Sequence, residues 1–117
     1  AACKDVEGKR VTEPGARDVT IRVLIDESAG APTFVMRHFE VAPGGGTPYH
    51  SHPWEHEVYV LSGNGKVRYK DGEGEMKGGV FVYVAPGEEH NFVNTGTGPM
   101  MFLCMIPVAD RIRPRCE

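Results

Sequence analysis

This sequence predicts an all-β fold, a single small barrel or sandwich, and three observations carry the prediction. Glycine and proline are abundant, 15 and 9 among 117 residues. Hardly any stretch repeats its apolar residues at helical spacing. Instead, short alternating apolar runs return at regular intervals between Gly- and Pro-rich turns, the pattern of about nine or ten short strands.

Taken in order, residues 1–17 are polar and irregular and read as an extended arm with at most one edge strand. A strand follows over 19–25, closed by the polar turn 26–32. Residues 33–42 form a second strand, ended by Pro43-Gly44-Gly45-Gly46. An extended segment covers 48–52, and 56–61 is a clear strand. Ser62-Gly63-Asn64-Gly65 predicts a hairpin turn, because Asn-Gly tolerates the positive φ that such turns need. Strand 66–70, the turn 71–74 and a short strand near 75–77 come next. Strand 80–84 ends at Ala85-Pro86-Gly87, and strands 90–94 and 100–106 complete the set. The Pro- and Arg-rich tail beyond 107 is expected to wrap the surface or a partner subunit. The whole is one domain, 1–117, with an arm (1–17), a barrel core (33–107) and a tail (108–117).

Composition removes several function classes. The formal charge is −3 with no basic stripe, which argues against a nucleic-acid partner. The longest apolar runs, such as 80–85, are strand-sized and far too short for a membrane helix. Cys3, Cys104 and Cys116 are odd in number and widely spaced, so neither a disulfide framework nor a CxxC zinc site is expected. A reducing cytoplasm is the expected compartment. No signal peptide is visible, and an opening Ala1-Ala2-Cys3 without methionine is consistent with a removed segment.

Four of the five histidines fall in one pattern. His50-Ser51-His52 is followed by Pro53-Trp54-Glu55-His56, and His90 returns within Pro86-Gly87-Glu88-Glu89-His90. Neutral imidazole is the commonest biological metal ligand. Strand alternation puts His56, Val58 and Val60 on one face, and His90, Phe92 and Asn94 on another. His50 and His52 share a face of their own segment. Three extended segments can therefore turn imidazoles into one barrel interior.

These residues resemble the two cupin motifs. The first, G-x5-H-x-H-x3,4-E-x6-G, is matched by Gly44-x5-His50-x-His52-x3-His56-x6-Gly63, with histidine where glutamate is usual. The second, G-x5-P-x-G-x2-H-x3-N, is matched by Gly79-x5-Ala85-Pro86-Gly87-x2-His90-x3-Asn94, with the proline displaced by one. The resemblance covers roughly 33–107 and implies a jelly-roll-like cupin barrel. The run His50 to Glu57 and the ending Phe102-Leu103-Cys104-Met105-Ile106-Pro107 are most similar to the small four-histidine manganese cupins. A metal set of His50, His52, His56 and His90 is implied. Six residues separate His56 from Gly63, as the motif asks, and alternation also favours His56; a three-histidine site completed by Glu57 is the alternative. One divalent ion per chain is expected, manganese by resemblance, with iron, copper, nickel and zinc all suited to imidazole.

Around the ion, Thr47, Val58, Phe92 and Phe102 are expected to wall an apolar pocket. Arg37 at the barrel mouth would hold a carboxylate through paired hydrogen bonds, with a solvated surface arginine as the alternative. Cys104 is either a packed core thiol or, by the resemblance, an oxidisable group facing the pocket. Tyr49 is an acid/base candidate, although it is out of phase with His50. His38 reads as a core or interface histidine, Trp54 as a cover for the ligand loop, and Asn94 as a turn or backbone partner.

Four neutral ligands leave the ion's 2+ charge uncompensated and, in an octahedral shell, two positions for exchange. The leading expectation is an oxidoreductase that brings dioxygen or peroxide to a small, anionic or enolisable substrate. A redox-neutral isomerase, lyase or cyclase using a Lewis-acid metal comes second, and a non-catalytic ligand-binding cupin third. A homodimer is expected, with outward Tyr59 and Leu61 supplying contact.

Overall fold

The computed structural model describes residues 1–108, and the expected tail lies almost wholly outside the described residues. Nine strands form, in order β1 Lys9–Arg10, β2 Arg17–Ile25, β3 Phe34–Gly46, β4 His56–Ser62, β5 Asn64–Tyr69, β6 Gly72–Lys77, β7 Phe81–Val84, β8 His90–Asn94 and β9 Met100–Pro107. Two single-turn 3-10 segments, Cys3–Asp5 and Glu27–Ala29, are the only helical pieces among the described residues.

The strands pair in the order β6-β5-β8-β3-β9-β4-β7, with β2 added to β3 and β1 to β2. Because β6 comes back close to β4, the sheet curls into a nearly closed jelly-roll barrel. Strand β3 ties the halves together: Phe34–Val41 pairs with β9, and Gly46 reaches Val93 of β8. The sequence suggests that Pro43-Gly44-Gly45-Gly46 ends this strand, but the chain bends and continues. Gly44 has φ +79, and a Cβ on Gly45 would run into the carbonyl oxygen of Arg17, so the corner requires glycine there.

The interior follows the two-residue alternation read from the sequence. His56, Val58 and Val60 of β4 are buried while Glu57, Tyr59 and Leu61 are exposed. On β9 the buried set is Met100, Phe102 and Cys104. Val58, Val60, Met100, Phe102 and Cys104, with Val19, Val41, Val67, Met76, Val82, Val84 and Phe92, form one core cluster. Each fully buried valine contributes about 1.5–3 kcal/mol. Asn94 pins the barrel end as a backbone partner, donating to the carbonyls of Val41 and Gly98, both at 2.8 Å, and accepting from Gly96 N–H at 2.8 Å.

Two local expectations need correction. β4 and β5 are consecutive but not hydrogen-bonded to each other; β4 pairs with β7 and β9, and β5 with β6 and β8. Ser62-Gly63-Asn64-Gly65 is therefore a crossing between the two halves of the barrel, not a hairpin. Gly63 takes φ +92, and a Cβ on Gly65 would collide with the Val93 carbonyl and the Met100 sulfur. The glycines serve close approach rather than a tight turn. Similarly, the hairpin placed at 71–74 closes over Lys70-Asp71, and β6 already begins at Gly72.

Candidate metal centre

One cavity of about 190 Å³ opens at the mouth of the barrel, and all four histidines of the motif line it. His56 begins β4, and His90 begins β8. His50 is held by a two-residue bridge to His90, with reciprocal backbone hydrogen bonds at 3.0 and 3.1 Å. His52 is placed by its carbonyl, which accepts from Gly87 N–H at 2.7 Å. The two motif segments are thereby stitched together by main chain, independently of their side chains.

The rings are close. The Nε2 atoms of His50 and His52 face each other at 3.0 Å. Ligands with metal–nitrogen bonds of about 2.1 Å lie roughly 3.0 Å apart along an octahedral edge, so this pair has ligand spacing. The His56 and His90 ring centroids are 5.0 Å apart, and those of His52 and His56 are 5.2 Å apart. Among the described residues, no group of three or more His, Cys, Asp or Glu side chains is drawn in tightly enough to hold an ion as the rings lie. The donor chemistry nevertheless fits one. His90 Nδ1 donates to the Glu88 carbonyl at 2.9 Å, and His50 Nδ1 meets Glu13 Oε2 at 2.9 Å, so both rings keep Nε2 for the cavity. The buried His56 Nδ1 has no hydrogen-bond partner.

Burial favours the neutral form of His52, His56 and His90. Burial, aided by the charge fields of His50 and His90, lowers His52 to about 4. Burial first, then His90 and Arg37, lowers His56 to about 3. Burial also lowers His90, against the hydrogen bond to Glu88. Neutral imidazoles are the form that can donate to a cation.

Arg37 points inward from β3 and lines the cavity. Its guanidinium donates to Cys104 Sγ at 3.0 Å and lies over the Phe39 ring, 5.0 Å from the centroid. Its buried Nε has no partner, and none of the ion pairs among the described residues involves it. Cys104, almost fully buried, also lines the cavity; burial pushes its thiol up, opposed by Arg37.

Thr47, Phe92 and Phe102 line the cavity as the sequence suggests, although the Thr47 hydroxyl is engaged by Phe92 N–H at 2.9 Å. Val58 does not reach the cavity: it points inward but sits deeper, within the packed core. Tyr49 is half-exposed and away from the cavity, because its out-of-phase position beside His50 turns it outward. Glu57 also faces outward beside Glu55, whose hydrogen bond, followed by burial and repulsion, raises it to about 7. Trp54 stacks on His52 with ring centroids 4.4 Å apart. His38 is buried on the outer face of β3, not in the cavity.

Sequence reasoning missed Glu13, a carboxylate from the N-terminal arm that lines the cavity and touches His50. The Pro14-Gly15 turn signal was the available clue, since it folds the arm back along β2.

Residues 37–106 match the cupin domain family. The chain belongs to the cupins. This cupin is similar to the polyketide cyclase RemF of Streptomyces resistomycificus, with 40% identity, a TM-score of 0.86, and coverage of 92% of this chain and 77% of RemF. It is also 30% identical to the tetracenomycin polyketide synthase protein TcmJ of Streptomyces glaucescens, over 79% of this chain and 63% of TcmJ. A 65-residue stretch is 43% identical to glucose-6-phosphate isomerase of Pyrococcus abyssi, half of this chain and 34% of that enzyme. This cupin thus spans less than two thirds of the curated relatives it matches.

Proposed function

We propose that this cupin is a metal-dependent cyclase that closes rings on small enolisable carbonyl compounds. One observation carries the reading: four imidazoles and Arg37 share an apolar cavity in a chain 40% identical to a polyketide cyclase. His50, His52, His56 and His90 would hold the ion. A bound divalent ion supplies Lewis-acid polarisation of a substrate oxygen.

The remaining work falls to this chain's own side chains. Phe39, Phe92 and Phe102 form an apolar wall, with Phe39 and Phe102 stacked at 5.2 Å and Phe92 tilted against Phe102 at 5.1 Å. That wall orients a flat carbonyl chain and excludes water. Arg37, without a carboxylate partner, is available to donate to an oxygen that gains negative charge. The reaction is redox-neutral and needs no net proton: a C–H beside a carbonyl releases its proton, the resulting carbanion bonds to a second carbonyl carbon as the C=O π pair moves onto oxygen, and that oxygen takes up the proton released. The cavity's size suits the reacting end of a chain rather than a whole polyketide.

An oxidoreductase using dioxygen or peroxide is the second reading, supported by the all-nitrogen donor set, which suits redox-active manganese, iron or copper, and by the Cys104 thiol in the same cavity. The deciding experiment offers a linear poly-β-ketone thioester to metal-loaded protein, under argon and under air. Ring closure under argon, with Arg37→Met slowing it about 100-fold or more, supports the cyclase. Strict dependence on oxygen moves the oxidoreductase ahead, and tight retention without turnover indicates a binding protein.

We also propose a homodimer. Phe81 and Tyr83 of the edge strand β7 join Tyr59 and Leu61 in one exposed apolar face, with Phe81 directly opposite Tyr59.

A further inference from the structure

We infer that Glu13 is a positioning residue of the metal centre, carried to it by the hairpin of β1 and β2, and that it holds His50 with Nε2 directed into the cavity. The inference rests on the reading that the four histidines bind an ion. Its substance is a contact that no motif contains.

The arm folds back as a short hairpin. Lys9 and Arg10 pair with Ile21 and Thr20, Val11 N–H donates to Val19 at 2.9 Å, and Arg10 meets Asp18 at 3.2 Å. Ala16 N–H closes the tip on the Glu13 carbonyl at 3.0 Å. Gly15, at φ +94, lies against Pro48, two residues before His50. The tip is therefore seated on the segment that bears the histidine, and it presents Glu13 Oε2 2.9 Å from His50 Nδ1.

A neutral imidazole carries one N–H. A carboxylate at Nδ1 claims that proton and leaves Nε2 as an acceptor, here of the hydrogen bond from His52 Nε2–H at 3.0 Å, with the lone pair that an ion would take over. It also raises the basicity of the ring as a ligand. His90 obtains the same orientation from a main-chain carbonyl. Glu13 is the only carboxylate among the described residues lining the cavity, and it comes from outside the matched residues 37–106. Docking of the arm and loading of the ion are consequently linked, each favouring the other.

The test has two readouts. Nitrogen NMR of metal-free protein reports which ring nitrogen of His50 carries the proton. Competition with a chromogenic chelator reports affinity for zinc and manganese ions. Wild-type protein should show the Nδ1–H form. Glu13→Ala should show a mixture and bind the ions about 10–100-fold more weakly. Glu13→Gln, whose amide oxygen still accepts from Nδ1–H, should keep the ring state and lose less affinity. Glu7→Gln, elsewhere on the arm, should match wild type. Unchanged ring state and affinity in Glu13→Ala would overturn the inference. Wild-type protein that takes up no ion would overturn the metal-centre reading, while the ring state of His50 still decides for or against Glu13.

Discussion

His56 and Glu57 are adjacent and both could ligate a metal, yet alternation on β4 turns one inward and the other to solvent. Elemental analysis should find about one ion per chain in Glu57→Gln, whereas His56→Ala should bind more than about 100-fold more weakly, beyond the usual effect of an outer partner. Titration adds a second expectation for the metal-free protein. The folded state holds His52 near 4 and His56 near 3, against an ordinary value of about 6.5. Between these values the unfolded chain binds protons that the folded chain refuses, so stability rises with pH. The contribution is fully present above about 6.5 and is lost as pH falls toward 3. Thermal melts should show Tm falling through that window, and His56→Ala should flatten the slope. Unchanged Tm between those limits would contradict the buried neutral rings.

At the scale of elements, the strands were legible because period-two alternation is local: 90–94 is found as β8 and 80–84 nearly so as β7. The crossing at Ser62–Asn64 was not, since the same glycines suit a hairpin or a close approach, and only the neighbours of Gly65 distinguish the two. A Cβ there has no room against the Val93 carbonyl, which is backbone and cannot swing aside. Gly65→Ala should therefore cost about 1–3 kcal/mol in denaturant unfolding, a range typical of overpacking. Gly72→Ala, where nothing lies within reach of a Cβ, is the matched control and should cost far less.

Across the whole molecule, the outward face of β4 and β7 stands out, with Phe81 81% exposed beside Tyr59, Leu61 and Tyr83. Exposed apolar surface of this kind on an edge strand is commonly covered by a partner. Sedimentation should give a dimer for the wild type, and the double variant Tyr59→Ser, Phe81→Ser should shift to monomer with an unchanged circular dichroism spectrum. A monomeric wild type would leave that face without its expected cover.

The division between sequence and tertiary structure follows range along the chain. Most strand positions and the faces that turn inward were set by short-range alternation, and the likeness of two gapped motifs to the cupins grouped the four histidines, whose meeting in one cavity the main-chain bridge of His50 to His90 brings about. Arg37 could be assigned only to one of two faces, and packing decided for the cavity. Strand partners, the deeper seat of Val58 and the arrival of Glu13 at His50 belong to contacts between distant segments. Such contacts depend on how the barrel closes, and no local period in the chain encodes that.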